Sequence, residues 1–318
     1  MRVLLVTTWG TACGIAEHSA HLKEAVEKAD PTIEIGPCWE LNPGMLMRQT
    51  YEGKIIHLNY HAALHSRWTP DWVRKFQEQG CKVVITYHDT GVPNSQQCLD
   101  LYAVADAFVV HESCDDLPEA HYWRQGIPVP ETFPYDHARR LYPHQPVVGS
   151  VGFPFPWKNY DLLAEASYAA GWGLILLAPN ATSEQVETWK RLNPWSYIES
   201  SFVHRMQVLE HLTACDATAF LYANANTGTS AAIRQGIAAR KPVLATVSAG
   251  CRQFRDLDDS DAHRAITWLP KLDVDHIVEA LSLTRIQKVD PQVARLAHLD
   301  SWERNGQRYA QLYRSLVS

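Results

Sequence analysis

The chain has 318 residues, 46% hydrophobic and 20% charged, a composition that excludes disorder and leaves room for two α/β domains. The net charge of −6 falls entirely in residues 1–143, with 12 Lys and Arg against 18 Asp and Glu, while residues 144–318 balance at 17 each. No basic stripe suits tight nucleic-acid binding, seven irregularly spaced cysteines suit free thiols in a reducing compartment, and no apolar run spans a membrane; a cytoplasmic location is expected.

In chain order, Val3 to Val6 has the pattern of a buried parallel strand, and a helix is expected from Ile15 to about Lys28. Gly10 and Gly14 flank the loop between them, at the strand edge where open α/β sheets bind ligands. Its spacing matches neither the dinucleotide fingerprint nor a P-loop. Strands are predicted at Ile33–Ile35, Lys54–Tyr60, Lys82–His88 and Ala107–His111, with a helix over Pro70–Gln79. Alternation of strands and helices argues for a parallel sheet. The strand ends carry Asn59 and His61, His88 and Asp89, then His111 and Glu112. His57, His61 and His65 have the spacing of three ligands on one helix, but His57 lies in a strand-like run, so no zinc site is expected. Ser113, His88 and Asp89 lack the sharp turn of a hydrolytic nucleophile.

The proline-rich stretch from Ile127 to Pro146 reads as a linker. A new sheet is expected to start at Val147–Phe153, followed by Lys158 just before a helix over Tyr160–Ala170, where a cation suits a phosphate. Further predicted elements are a strand at Gly173–Leu177, helices over Glu184–Leu192 and Arg205–Thr213, and a strand over Ala217–Tyr222. The stretch from Ala223 to Thr246 is then a small-residue turn, a helix opened by Ser230 and stopped at Pro242, and a strand over Val243–Ala245. Free N–H groups at Thr229, Ser230 and Ala231, with the helix dipole behind them, favour an anion. A helix over Val274–Ser282 is capped by the Asp273/Asp275 pair, and a last amphipathic helix, Trp302–Leu316, has Tyr309, Leu312, Tyr313 and Leu316 on one face.

These residues carry a resemblance. Cys13-Gly14-Ile15-Ala16-Glu17, Thr86-Tyr87-His88-Asp89, Gly152-Phe153 to Lys158, Tyr222 to Val243 and the Trp302…Tyr309…Tyr313 helix occur in one order. Together they resemble the GT-B glycosyltransferases, in particular the large retaining group that uses nucleotide-sugar donors. The resemblance implies an α/β chain of two Rossmann-like domains facing each other across a cleft. The first, residues 1–143, takes the acceptor; the second, 144–300, binds the donor; and a helix at 301–318 crosses back to the first domain.

The resemblance also implies roles. Lys158 would contact the donor diphosphate, Gly14 would let the first loop approach it, and Gly228, Thr229, Ser230 and Ala231 would hold it from the other side. Phe202 and Val203 would lie near the base, and Thr227 and Gln235 at the positions of two family glutamates. His88 would sit near the transferred sugar; it and Asp89 are the catalytic candidates, and Asn59, His61 and His111 lie on the acceptor side. No metal and no cofactor beyond the nucleotide-diphosphate sugar is expected, because the helix dipole and Lys158 take over charge neutralisation. The expected function is transfer of a sugar to an acceptor hydroxyl, favouring a carbohydrate or small-molecule acceptor, with a modified nucleic-acid base left open. Two departures matter: neutral Thr227 and Gln235 replace the glutamates, and Gly152 stands where many members carry an arginine. They keep two alternatives open, a non-catalytic sugar-nucleotide-binding protein and a sugar-nucleotide epimerase.

Overall fold

The computed structural model describes residues 1–11, 13–48, 54–88, 96–111, 115–130, 146–223, 230–248, 251, 254, 265–284 and 291–318. The elements run β1 (Arg2–Val6), α1 (Gly14–Ala29), β2 (Glu34–Cys38), α2 (Pro43–Leu46), β3 (Ile55–Tyr60), α3 (Ala62–His65), α4 (Pro70–Glu78), β4 (Lys82–Tyr87), α5 (Gln96–Tyr102), β5 (Ala107–Val110) and β6 (His121–Tyr122). After them come β7 (Val147–Val151), a 3₁₀ turn (Pro156–Lys158), α6 (Tyr160–Ala169), β8 (Gly173–Leu177), α7 (Ser183–Leu192), β9 (Ser196–Glu199), α8 (Arg205–Thr213), β10 (Ala217–Phe220), α9 (Ala231–Ala238), β11 (Val243–Thr246) and β12 (Ile266–Leu269). The last three are α10 (Val274–Thr284), α11 (Pro291–Leu299) and α12 (Trp302–Val317).

The chain folds as two compact units, one holding Met1–Gly126 and Asp300–Ser318, the other Ile127–Asn226 and Ser230–Leu299. The division falls at the start of the proline-rich stretch; the expected boundary at 143/144 lies within 131–145, outside the described residues.

The first unit is built on a six-stranded, all-parallel sheet ordered β2-β1-β3-β4-β5-β6. Its central strands are apolar on both faces because helices cover both. Leu4, Ile56, Leu58, Val83 and Ile85 pack with Trp68, Val73 and Phe76 on one face. Val3, Leu5, Ile55, Val84 and Val109 pack with Leu22, Val26, Tyr309 and Tyr313 on the other. So α12 belongs to the first unit, as the amphipathic pattern and the resemblance imply. Ser301 caps it, its side chain accepting from the Arg304 N–H at 3.3 Å. Asp300, 2% exposed, pairs with Arg124 at 2.6 Å. Asn305 Nδ2 donates to the Arg124 carbonyl at 3.0 Å, and Tyr309 and Tyr313 hydroxyls meet Thr86 Oγ1 at 2.8 Å and His57 Nδ1 at 2.6 Å. A Cβ on Gly306 would lie 2.3 Å from the Ala25 carbonyl oxygen, so α1 and α12 approach to backbone contact.

The second unit repeats the plan with a six-stranded parallel sheet ordered β12-β11-β10-β7-β8-β9. Numbered from its own first strand this is the order 6-5-4-1-2-3, with the reversal between β7 and β10, the geometry that places ligands at that crevice. Ile175, Leu212, Phe220, Ile233 and Ile237 pack on one face; Leu163, Leu174, Leu176, Trp172 and Ile277 pack on the other. Beyond the predicted elements, the structure adds α2, α3, α5, β6, the 3₁₀ turn, β9, β12 and α11. β6, β9 and β12 are edge strands, and β9 in particular shows no fully buried residue and so no apolar run.

Gly306→Val should destabilise the first unit by about 1–3 kcal/mol, because the obstacle is backbone and cannot swing aside. Chemical denaturation followed by tryptophan fluorescence measures it; an unchanged midpoint contradicts the close packing of α1 on α12.

Candidate functional site

Polar groups collect at the carboxyl edge of the first sheet. His18 is on α1, directly after β1; Asn59 is in β3; His88 follows β4 and His111 follows β5. Asn59 is buried and its amide serves three partners: Nδ2 lies 3.2 Å from His18 Nδ1 and donates to Ser19 Oγ at 2.5 Å, while Oδ1 meets His88 Nε2. Ser19 Oγ lies 2.8 Å from the Ile15 carbonyl and 3.2 Å from Thr7 Oγ1, tying α1 to the end of β1. His111 Nδ1 meets the Trp123 carbonyl at 2.8 Å. The rings of His18, His88 and His111 stand 4.4, 4.9 and 5.4 Å apart, and one ring nitrogen of each lies within 4.8 Å of the other two. Trp302 packs against the His18 ring at 4.8 Å and is itself stacked by His21. Burial, followed by the neighbouring imidazoles, holds His18 and His88 well below the ordinary histidine range, so both rings are neutral.

Of the expected residues, Asn59, His88 and His111 thus come together. His61 caps α3, its Nδ1 accepting from the Ala63 N–H at 3.2 Å. His57, His61 and His65 do not converge on a metal. His57 is fully buried in β3 between Tyr313 and Thr86, held down to about 3 by burial, and His65 is held to about 4. Asp89 lies outside the described residues. His18 escaped sequence reasoning, although a signal exists. His18 and Ser19 interrupt the buried stripe of α1 that continues through Leu22 and Val26, and polar residues on a buried face need partners. Trp9 and Trp39, just beyond β1 and β2, also escaped; their rings are 6.5 Å apart, and Trp39 is 64% exposed.

In the second unit Lys158 ends the 3₁₀ turn after β7, with its side chain only 7% exposed. Its Nζ occupies the space a Cβ on Gly152 would fill, 2.0 Å from that position, and Gly152 has φ +128°, a conformation suited to glycine. The residue at 152 therefore has no side chain because the lysine ammonium takes its place. The ammonium lies 5.5 Å from the Trp157 ring centre and 5.8 Å from that of Tyr222. Burial alone pushes its pKa down to about 7. Hydrogen bonds fix this loop: Asn159, left-handed at φ 53°, donates from Nδ2 to the Leu221 carbonyl at 2.7 Å, and the Ala223 N–H donates to the Trp157 carbonyl at 2.7 Å. The β7 loop is thereby fastened to the end of β10, at the topological reversal.

Ser230 is the N-cap of α9, its hydroxyl 2.8 Å from the Tyr222 hydroxyl rather than on a helix N–H, and Ala231 begins the helix, exposed. Gln235 is half-buried one turn further on. Gly236 lets α9 lie against Phe220, since a Cβ there would be 2.4 Å from the ring. Thr227, Gly228 and Thr229 lie outside the described residues. Phe202 is 42% exposed and Val203 packs on the core. Gly14 opens α1 with no atom within 4 Å of its missing Cβ, so the protein itself leaves that approach clear. The six described cysteines are free.

Similarity to solved structures spans the whole of both units. HepE of Anabaena in complex with UDP matches over 99% of this chain and 100% of its own, with TM-score 0.72 and 14% identity. The E. coli trehalose-6-phosphate protein bound to UDP-2-fluoro glucose matches over 100% and 99%, with TM-score 0.64 and 12% identity. AviGT4, a glycosyltransferase of avilamycin A biosynthesis, matches over 99% and 98%, with TM-score 0.61 and 15% identity. The fold is that of the GT-B glycosyltransferases. No family model matches the sequence, and no curated protein matches it either. In the second unit Lys158 follows β7 and the N-terminus of α9 follows β10; two cations are buried here, Lys158 and Arg234 of α9, the latter donating from Nη1 to the Ser230 carbonyl at 2.7 Å. No helix among the described residues is long and apolar enough to cross a membrane.

The Lys158 charge has a cost in the free protein. Between about pH 7 and the ordinary lysine value of 10.5 the unfolded chain holds a proton that folded Lys158 has released, so stability rises with pH across that window. Lys158→Met should therefore stabilise the protein by about 1–4 kcal/mol at pH 7, with the gain shrinking toward pH 10. Denaturation midpoints at pH 7, 8.5 and 10 test this, and a destabilised variant at pH 7 contradicts it.

Proposed function

We propose that the protein is a glycosyltransferase that moves a sugar from a nucleoside-diphosphate sugar to an acceptor hydroxyl, with retention and without a metal ion. The observation that carries the reading is Lys158: a cation buried without a carboxylate partner among the described residues, at a cost to stability, at the sheet reversal where α9 begins after β10. A site kept at such a cost suits an anion. The HepE structures hold UDP and UDP-glucose on the same fold, which supports a diphosphate here.

In this reading Lys158 and the first N–H groups of α9 neutralise the charge that develops on the leaving diphosphate. The bond between the sugar's anomeric carbon and the phosphate oxygen breaks, and the electron pair stays with the diphosphate. The acceptor oxygen bonds to the same face of the sugar, and its proton passes to the departing phosphate oxygen. Gln235 hydrogen-bonds ribose, neutral where a glutamate would be charged. Phe202 and Val203 flank the base. Thr227, Gly228 and Thr229 complete the phosphate turn, Gly14 leaves room for the diphosphate, and Asn59, His61, His88, Asp89 and His111 serve the sugars. The location is cytoplasmic.

Two expectations follow. UDP should bind with uptake of about half a proton at pH 7, because binding restores the ammonium that burial has half removed. Affinity should then weaken as pH rises above 7. Calorimetry in buffers of different ionisation enthalpy reads both, and Lys158→Met should lose roughly 10- to 150-fold in affinity. Binding that is unchanged in a folded variant contradicts the assignment.

Gln235→Ala should raise the donor KM more than it lowers kcat, with activity persisting in EDTA. Nucleotide-sugar binding without transfer or hydrolysis across a broad acceptor panel would favour the non-catalytic reading that neutral Gln235 and Thr227 motivate. Conversion of the nucleotide sugar without any acceptor would favour epimerisation.

A further inference from the structure

The loop after β7 reads Phe153-Pro154-Phe155-Pro156-Trp157, and its rings form a row. Phe155 and Trp157 are stacked, with 5.6 Å between centres and 16° between planes. Trp157 meets Tyr222 edge-on at 5.3 Å, and Phe153 lies 6.1 Å from Phe155, tilted. The row runs from buried Tyr222 outward to Phe155, which is 51% exposed. Lys158 Nζ lies 5.5 Å from the Trp157 ring centre, so the exposed ring is two such steps from the ammonium. Phe155 is held in this position. The proline after it requires an extended backbone, and it has φ −70° and ψ 140°. Pro154 and Pro156 fix the chain on both sides. The backbone polar groups of the loop are already engaged. The Phe155 N–H donates to the Phe153 carbonyl at 2.8 Å, and the prolines have no N–H. The Pro154 carbonyl accepts from Gln185 Nε2 at 3.4 Å, that of Phe155 from the Lys158 N–H at 2.9 Å, and that of Pro156 from the Asn159 N–H at 3.2 Å. The Trp157 carbonyl accepts from Asn159 Nδ2 at 3.0 Å and from the Ala223 N–H at 2.7 Å. Among the side chains from Phe153 to Trp157 the indole N–H is the sole donor. What the loop turns outward is therefore ring and proline surface.

We infer that Phe155 and Trp157 form a stacking platform for a planar, apolar ring of the acceptor. A further ring added to this row gains contact with partners that are already aligned, and the loop has little freedom left to lose. A pyranose brings several hydroxyl groups, and a nucleobase brings a polar edge; each needs hydrogen-bond partners that this loop has already spent. Insertion into a lipid surface calls for exposed cations around the apolar tip, and the cation of this loop, Lys158, is 7% exposed. The acceptor class is then an aryl alcohol or phenol rather than a free saccharide. Its ring rests on Phe155, and its hydroxyl reaches toward the sugar carried by the diphosphate at Lys158. The acceptor role rests on the sugar-transfer reading; the capture of a planar ring does not.

¹⁹F spectra of protein labelled with 5-fluorotryptophan, with the Trp157 resonance assigned through Trp157→Phe, follow the platform directly. 2-Naphthol should shift that resonance saturably. Decahydro-2-naphthol, which has the same carbon skeleton without the planarity, should bind more weakly. Phe155→Ala, at an exposed position, should weaken 2-naphthol binding about 2- to 12-fold, and Phe155→Tyr should bind it as wild type does. Calorimetry of 2-naphthol with wild type and Phe155→Ala repeats the comparison without the label. Equal affinity for the planar and saturated alcohols, or no loss in folded Phe155→Ala, overturns the inference. A Trp157 shift by D-glucose or uridine as large as that by 2-naphthol also overturns it, since a sugar or a base then takes the platform. So does binding to phosphatidylglycerol vesicles that Phe155→Ala abolishes, which makes the loop a lipid contact. If UDP fails to bind while 2-naphthol shifts Trp157 and loses affinity in Phe155→Ala, the donor reading fails and the platform stands.

Discussion

Parallel strand pairing constrains everything else in this protein. Each strand must be followed by a crossover before the next can pair, so in each sheet all strands end at one edge. Polar residues that follow apolar strands, such as His88 after Tyr87 and His111 after Val110, are therefore gathered without any sequence proximity. The same rule brings the β7 loop with Lys158 beside the end of β10 in the second unit, where the Asn159 side chain and the Ala223 N–H lock the two together. Packing supplies the rigidity: both faces of each sheet are covered, and α12 closes one face of the first through backbone contact at Gly306.

Two buried polar clusters, one in each unit, differ in charge. In the first, neutral groups satisfy one another: Asn59 divides its amide among Ser19, His18 and His88, and burial keeps those two rings uncharged. In the second unit, Lys158 is buried with no carboxylate partner among the described residues. Lys158 is surrounded by aromatic rings and a glycine notch, and its protonation is poised near neutral pH. The first arrangement is neutral; the second is poised for an anion.

The likeness to solved structures rests on fold, at 9–15% identity. One of them is the N-terminal domain of a Candida albicans trehalose-6-phosphate phosphatase, so the architecture carries more than one name. Two places in this chain bear on the proposed transfer. Gly152 lacks the side chain that would exclude the Lys158 ammonium, and Gln235 keeps a glutamate's length without its charge.

The sequence by itself determined the alternation of elements, the parallel sheets, the amphipathic last helix and the place of Lys158 between a strand and a helix. Those follow from local periodicity and from turn chemistry, which act over a few residues. The edge strand β9 escaped because a half-exposed strand needs no apolar run. The histidine set was legible only in part. His88 and His111 stood out as polar strand ends, but His57, His61 and His65 had the tempting spacing and go to three separate tasks. Only the tertiary structure decided that His18 joins His88 and His111, because periodicity gives the face a residue lies on and not what meets that face. The charge of these groups was likewise decided there: the burial that neutralises His18 and half-neutralises Lys158 exists only once the chain has folded around them.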